Sequence, residues 1–334
     1  MKGGVLLGRL EKLLDGLDLA HSRGIEIGPL ASPAVRKDQS QVLYVDRCDR
    51  DALVAHYAPQ GVDTSQIVAV DAIWGEQTLR ECLSDAGLFD YAMASHVVEH
   101  VPDLVGWLYE LAEILRVGGR LGLVIPDKRF TFDYLRQPTR MNEVIDAYLR
   151  RNRRPSPAQI FDHHANVAKV SNVEAWRGPL DPASLQRLGS PRGALAHSLA
   201  SMRNGIYVDS HCWVFTPPSI LDLFMQLVDL DLMPFALDAF HETVRDDLEM
   251  VMVLRKVAQP ASDDARSVLR ATFQRGADML ASSSGRASAG EPESRPEVAQ
   301  ATIQALQDEI AALRGSRSWR AAVVLQRMKR RLVG

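Results

Sequence analysis

Short apolar runs alternate with helix-like patterns along residues 24–256 of this 334-residue chain. β-rich runs fall at 24–27, 42–45, 67–70, 91–94 and 120–125. Between the last two, Leu104, Leu108, Leu111 and Leu115 recur at helical spacing, and Gly118-Gly119 marks the end of a helix over 104–115. Apolar strands alternating with helices predict a parallel sheet covered on both faces. Two later runs, 235–243 and 248–256, are separated only by Val244-Arg245-Asp246-Asp247. A link of four residues closes a hairpin but not a parallel crossover. The expected fold is therefore α/β: a Rossmann-like doubly wound sheet, mostly parallel, with an antiparallel C-terminal hairpin. A helical insertion and a C-terminal helical tail complete it.

The pattern divides the chain into a domain over 1–258, a flexible linker over 259–300 and a tail over 301–334. Within the domain, residues 130–208 form an insertion too long for an ordinary loop. The linker is rich in small residues, with Ser282-Ser283-Ser284-Gly285 and Gly290-Glu291-Pro292 as its clearest breaks. In the tail, Ile303, Leu306, Ile310 and Leu313 follow the 3-4-3 spacing of a short coiled coil. Seven basic and no acidic residues then lie between Arg314 and Arg331, with Trp319 among them. Such a segment suits an anionic membrane surface or a partner helix; a solvated helix end is the plainer alternative.

Composition narrows the classes. A net charge of −3 leaves no global footprint for nucleic acid, so no nucleic-acid partner is expected. Cys48, Cys82 and Cys212 show no CxxC spacing, which argues against a disulfide framework or a zinc ribbon. Charged residues among the leucines of the first 19 positions read neither as a signal peptide nor as a membrane span. A cytoplasmic protein is expected, at the inner face of the membrane if the tail anchors there.

Parallel sheets bind ligands beyond the carboxyl ends of their strands, so those positions carry the candidate chemistry. The first run ends in Glu26-Ile27-Gly28-Pro29, where a glycine lets backbone approach a ligand closely. The GxGxxG fingerprint and the Walker loop are both absent. Asp46 follows the second run and offers a carboxylate to ribose hydroxyls. Asp71 follows the third, with Ala72, Ile73 and the flat ring of Trp74 next to it, suited to an adenine. An Asp at a strand end is also a common turn or cap residue.

Ser95-His96-Val97-Val98-Glu99-His100-Val101-Pro102-Asp103, followed by Glu113-Ile114-Leu115-Arg116-Val117-Gly118-Gly119, resembles the fourth strand, helix and fifth strand of class I S-adenosylmethionine-dependent methyltransferases. The likeness is to the bacterial small-molecule or glycan type. Gly24-Ile25-Glu26-Ile27-Gly28 and Val42-Leu43-Tyr44-Val45-Asp46 match that family's glycine and acidic motifs. The resemblance implies S-adenosylmethionine as cofactor, bound by Glu26, Gly28, Pro29, Asp46, Asp71, Ala72 and Ser95. Pro29 stands where the family's loop continues toward a second glycine; a sulfonium cofactor needs no pyrophosphate cradle, so the loop reads as a variant. A non-catalytic binding or scaffold protein of the same fold is the alternative.

The catalytic candidates are His96, His164 and His211. The sulfonium already activates its methyl, so the protein has only to align a nucleophile and manage its proton. His96 and Asp127-Lys128-Arg129 follow the fourth and fifth strands. Asp162, His163 and His164 in the insertion, with Asp209 and His211, read first as structural hydrogen bonding, next as substrate binding or base catalysis, and last as imidazole–carboxylate metal binding; no metal is assigned. Arg150, Arg151, Arg153 and Arg154 are a solvated helix end or a patch for an anionic acceptor. The tail's Ser316-Arg317-Ser318-Trp319-Arg320 resembles tails of bacterial glycosyltransferases and cell-surface polysaccharide enzymes, which implies a glycan acceptor.

Overall fold

In the computed structural model, residues 8–83 and 86–287 are described. The coiled-coil and basic segments expected over 301–334 lie outside them. Four of the expected runs become β1 (Arg23–Ile27), β2 (Gln41–Asp46), β4 (Phe89–Ser95) and β5 (Leu115–Pro126), and β3 (Ala72–Ile73) forms just beyond the run expected at 67–70. The hairpin supplies β6 (Phe235–His241) and β7 (Glu249–Lys256). They form one seven-stranded sheet in the order β3-β2-β1-β4-β5-β7-β6. β1 to β5 run parallel, and β7 pairs antiparallel with both β5 and β6. The sheet is a Rossmann-like doubly wound sheet, mostly parallel, ending in the expected antiparallel hairpin. The strand order reverses between β1 and β4, which opens a crevice at their carboxyl ends.

The two faces differ. On one, α1 (Arg9–Leu14) and the loop after β1 cover a small cluster of Leu13, Val35, Val42, Tyr44, Tyr91 and Met93. The Tyr91 ring lies flat over Gly24, where a Cβ would come within 2.2 Å of it, so glycine is required. The other face carries the main core, in which α4 (Leu104–Ile114) buries Leu104, Trp107, Leu108 and Leu111. α9 (Pro217–Asp229) adds Ile220, Leu221 and Phe224 to the same cluster. Both helices start on caps visible in the sequence: Asp103 accepts from Gly106 N at 2.9 Å, and Thr216 from Ser219 N at 3.3 Å.

Two expectations change. Helices do not fill every crossover: α2 (Arg50–Tyr57) and α3 (Leu79–Cys82) follow β2 and β3, but β1 passes to β2 through turns alone. Residues 263–287, expected as linker, instead belong to α10 (Asp263–Ala287). Leu269, Phe273 and Leu280 bury against the main core, with Phe273 edge-on to Phe224 at 5.9 Å. The small residues that read as linker composition include Gly276, which packs so close to β6 that a Cβ would meet Leu237 at 2.8 Å. No helix among the described residues is long and apolar enough to cross a membrane.

The insertion after β5 is helical, as expected. It contains α5 (Met141–Arg150), α6 (Pro157–Asn166), α7 (Asn172–Arg177) and α8 (Pro191–Asn204). It returns along β4's exit loop, where Cys212 N and Trp213 N donate to Glu99 O at 2.5 and 3.1 Å. Trp213 Nε1 donates to Val101 O at 2.6 Å. This return sets His163 of the insertion beside His211, behind the crevice wall.

Candidate functional site

A cleft opens where β1, β2 and β4 end, lined by Gly28, Asp46, Trp74, Ser95, His96 and His100 among others. Gly28 has φ +66, the left-handed region that glycine adopts without strain, and its N–H donates to Val45 O at 2.9 Å. A Cβ there would meet Val97 at 3.0 Å, so the turn and the β4 exit loop press together over this point. The turns after Gly28 are fixed by Glu26. Its buried carboxylate accepts from Ala34 N at 2.7 Å and Val35 N at 3.0 Å, and burial raises its pKa despite those bonds. With no helix after β1 there is no helix N-terminus aimed at a phosphate, which is why a proline is tolerated beside the glycine. Glu26 and Pro29 line a neighbouring hollow with Arg9 rather than the cleft itself. Glu26 therefore holds the loop's shape and faces the neighbouring hollow.

Asp46 ends β2 inside the cleft. Its Oδ1 accepts from Arg47 N at 2.7 Å, and burial raises its pKa. Arg47 in turn lies over the Tyr207 ring at 4.1 Å, which closes that wall.

Asp71 and Ala72 are corrected. The strand expected at 67–70 forms instead at Ala72–Ile73, so Asp71 precedes it. Asp71 accepts from Tyr44 N at 2.8 Å and from Lys37 Nζ at 2.6 Å, tying β2 to the loop after β1. Ala72 pairs in register with Val45 and does not line the cleft. Trp74, next to them, does. Its Nε1, like that of Trp107 on the same cleft, is buried without a hydrogen-bond partner among the described residues.

β4 delivers Ser95 and His96. Ser95 Oγ accepts from Arg9, and Arg9 also pairs with Glu249 at 3.3 Å. His96 adopts φ +53, uncommon for a non-glycine residue. Its Nε2 hydrogen-bonds Glu249 Oε2 at 2.8 Å, which orients Nδ1 away from the hairpin, 3.6 Å from Glu99 Oε1.

The remaining wall is a histidine cluster. His100 lines the cleft, its Nδ1 3.0 Å from Asp209 Oδ1. Burial works against its charge, but the Asp209 bond prevails and raises its pKa. Behind it His211 packs edge-on at 4.6 Å, its Nδ1 2.5 Å from Asp133 Oδ2. Arg136, 2% exposed, ties the cluster together by donating to Asp133 Oδ1, Asp162 Oδ2 and His211 O, each at 2.8 Å. Burial raises the Asp133 pKa, yet His211 and Arg136 more than offset this and hold it at about 2. His163, buried beside His211 and Arg136, is pushed down to about 3. His164 Nε2 lies 3.2 Å from Asp209 O and from Ser210 Oγ, so it braces the segment that carries Asp209. Neither His164 nor His211 lines the cleft. The structure thus gathers the dispersed histidines but places His96 and His100, and not His163, His164 or His211, along the cleft.

Asp127 turns inward instead, with Lys128 and Arg129 half-buried beside it. Asp127 is fully buried and accepts from Thr243 Oγ1 and from Arg129, while Lys128 Nζ donates to Tyr134 O. Of the insertion's arginines, Arg150 pairs with Asp146 on its own helix. Arg153 reaches Glu110 and the carbonyls of Glu76 and Gln77, and Arg154 reaches Glu76. These two strap the insertion to α4 and to the loop after β3, and Arg153 forms part of the cleft wall. Tyr57, Trp107 and Tyr207 also line it, unanticipated because their helical or loop positions carry no strand-end signal.

No protein-family model matches the chain, and no curated protein does. Among solved structures it is similar to the CurJ carbon methyltransferase at 13% identity and a TM-score of 0.35, over 73% of this chain and 51% of that one. The chain thus spans about half of that protein's length. It is similar to magnesium protoporphyrin IX methyltransferase from Synechocystis, solved with S-adenosylmethionine, at 9% identity and a TM-score of 0.34, over 74% and 76% of the two chains. It is likewise similar to a protein described as a hemolysin from Streptococcus thermophilus, at 13% identity and a TM-score of 0.34, over 83% and 74%. Likeness this distant carries no chemistry. The mostly parallel sheet with its terminal antiparallel hairpin is the architecture that the sequence resemblance implies.

Proposed function

We propose that this protein is an S-adenosylmethionine-dependent methyltransferase whose acceptor is a small molecule, with a glycan or sugar precursor as the particular class. The observation that carries the reading is the cleft at the reversal between β1 and β4, where Gly28, Asp46 and Trp74 stand together. Gly28 gives the cofactor's amino-acid portion close access to backbone. Asp46 accepts hydrogen bonds from ribose hydroxyls, and the rings of Trp74 and Trp107 frame the base.

Across the cleft the chemistry changes from binding to proton handling. A hydroxyl acceptor must lose a proton as it takes the methyl, and a nearby imidazole assists. Glu249 accepts from His96 Nε2, which fixes the tautomer with Nδ1 free to receive that proton. The carry-over to a glycan rests on the tail's resemblance, and the domain over 1–258 is read as the catalytic unit. Calorimetric titration of the intact chain with S-adenosylmethionine and S-adenosylhomocysteine tests the reading. One equivalent of each is expected to bind; a flat titration with both would leave only a non-catalytic module of the same fold.

A further inference from the structure

We infer that Glu99, His100 and His211 form a binding site for one divalent first-row transition ion, directly behind the cleft wall that His100 makes. One ligand atom from each residue lies within 4.8 Å of the others. Ligands around a tetrahedral ion with bonds of ~2.0–2.1 Å lie roughly 3.3 Å apart, so small side-chain rotations close the set.

Three observations point to a ligand there. First, Glu99 is 1% exposed, and neither carboxylate oxygen has a hydrogen-bond partner among the described residues. His96 Nδ1 is 3.6 Å away, beyond hydrogen-bond reach. A buried carboxylate without donors is costly unless something neutralises it. Second, both imidazoles are already oriented from behind: Asp209 engages Nδ1 of His100, and Asp133 engages Nδ1 of His211. That leaves Nε2 of each ring for a metal, in the carboxylate–histidine–metal arrangement that fixes ring tautomer and raises ligand basicity. Third, the backbone of Glu99 is clamped by Cys212 N and Trp213 N, so the loop carrying Glu99 and His100 is fixed against the segment carrying His211.

A second grouping, Asp133 with His163 and His211, is less suited. The Arg136 guanidinium already neutralises Asp133, and His163 Nδ1 accepts from His211 N at 3.3 Å. Two imidazoles and one carboxylate suit zinc, cobalt, iron or manganese rather than calcium or magnesium. Three protein ligands leave at least one position open to water or an acceptor oxygen, whose pKa the ion lowers. This last role rests on the methyltransferase reading; binding of the ion does not.

The test is to strip the full-length chain with a chelator, dialyse it, and titrate it with Co2+ and Zn2+ in the absence of S-adenosylmethionine. One equivalent is expected to bind, with a Co2+ visible spectrum of nitrogen and oxygen ligands and no thiolate charge-transfer band. Glu99→Gln and His211→Gln should each weaken binding at least 100-fold, and Asp209→Asn, acting through His100, by about 10- to 100-fold. A readout that needs no variant is the histidine ring-proton NMR spectrum, in which Co2+ should shift His100 and His211. No stoichiometric binding, a thiolate band, unchanged affinity in folded Glu99→Gln, or shifts confined to other histidines would overturn the proposal. Because the titration contains no cofactor, its failure leaves the S-adenosylmethionine reading untouched, and the reverse holds too.

Discussion

The two sides of the cleft are built on different principles. At the ends of β1 and β2, each carboxylate serves backbone close to it in sequence: Asp46 accepts from the next residue, and Glu26 from amides eight and nine positions on. The histidine side is assembled from distant segments, such as His100 with Asp209 and Asp133 with His211, and a buried arginine holds it together. The first side is placed by strand register, so its side chains are free to meet a ligand. The second is held by mutual neutralisation of buried charges, so its members answer to one another before any ligand. Binding and stability should therefore separate between the two sides, and substitutions can break that division.

The largest effect is expected at Gly28. Gly28→Val forces a β-branched residue into φ +66 and against Val97, and should reduce S-adenosylmethionine binding below detection while the protein still melts cooperatively. Retained affinity by calorimetry would place the ligand elsewhere. On the other side, Arg136→Met removes the cation from a cluster whose carboxylate, Asp133, stays buried. It should destabilise the fold by ~3–5 kcal/mol in urea unfolding. Cofactor affinity of the folded fraction should hardly change. A strong loss of affinity with unchanged stability would invert the comparison.

Asp46→Ala tests the strand-end side more finely. Losing charge-assisted hydrogen bonds to the ribose should weaken binding by ~1.5–3 kcal/mol, and full affinity in titration would remove Asp46 from the site. The smallest effect concerns Asp103, which caps α4 at the cleft. Burial raises its pKa from 3.8 to about 6, so the folded state favours the neutral form. The stabilisation is present at low pH and is lost as pH rises through the window between those values. Asp103→Asn keeps an acceptor for the cap and does not titrate. Its Tm relative to the unaltered protein should rise across that window; parallel Tm–pH curves would contradict this.

The same division explains what the sequence could show. Gly28 and Asp46 were legible because a strand's end is marked by the change from an apolar run to a turn residue, and a parallel sheet puts such ends in one place. Asp71 failed because a short edge strand carries little apolar signal: Ile67 is buried in a loop, and the pairing forms at Ala72–Ile73 instead. The helix over 263–287 was hidden by its alanines, serines and glycines, whose small size serves close packing at Gly276 as well as it serves a linker. The histidines could be named but not sorted. Whether His164 or His100 faces the cleft depends on how the insertion returns past Glu99, a contact between segments more than 100 positions apart.

Hydrogen exchange of the intact chain, followed by mass spectrometry with and without saturating S-adenosylmethionine, tests the central claim most directly. Protection is expected in peptides covering residues 26–30, 46–57, 72–75 and 95–103, which meet at the cleft. Protection of other segments alone, or none at saturation, would contradict the placement of the cofactor between β1, β2 and β4.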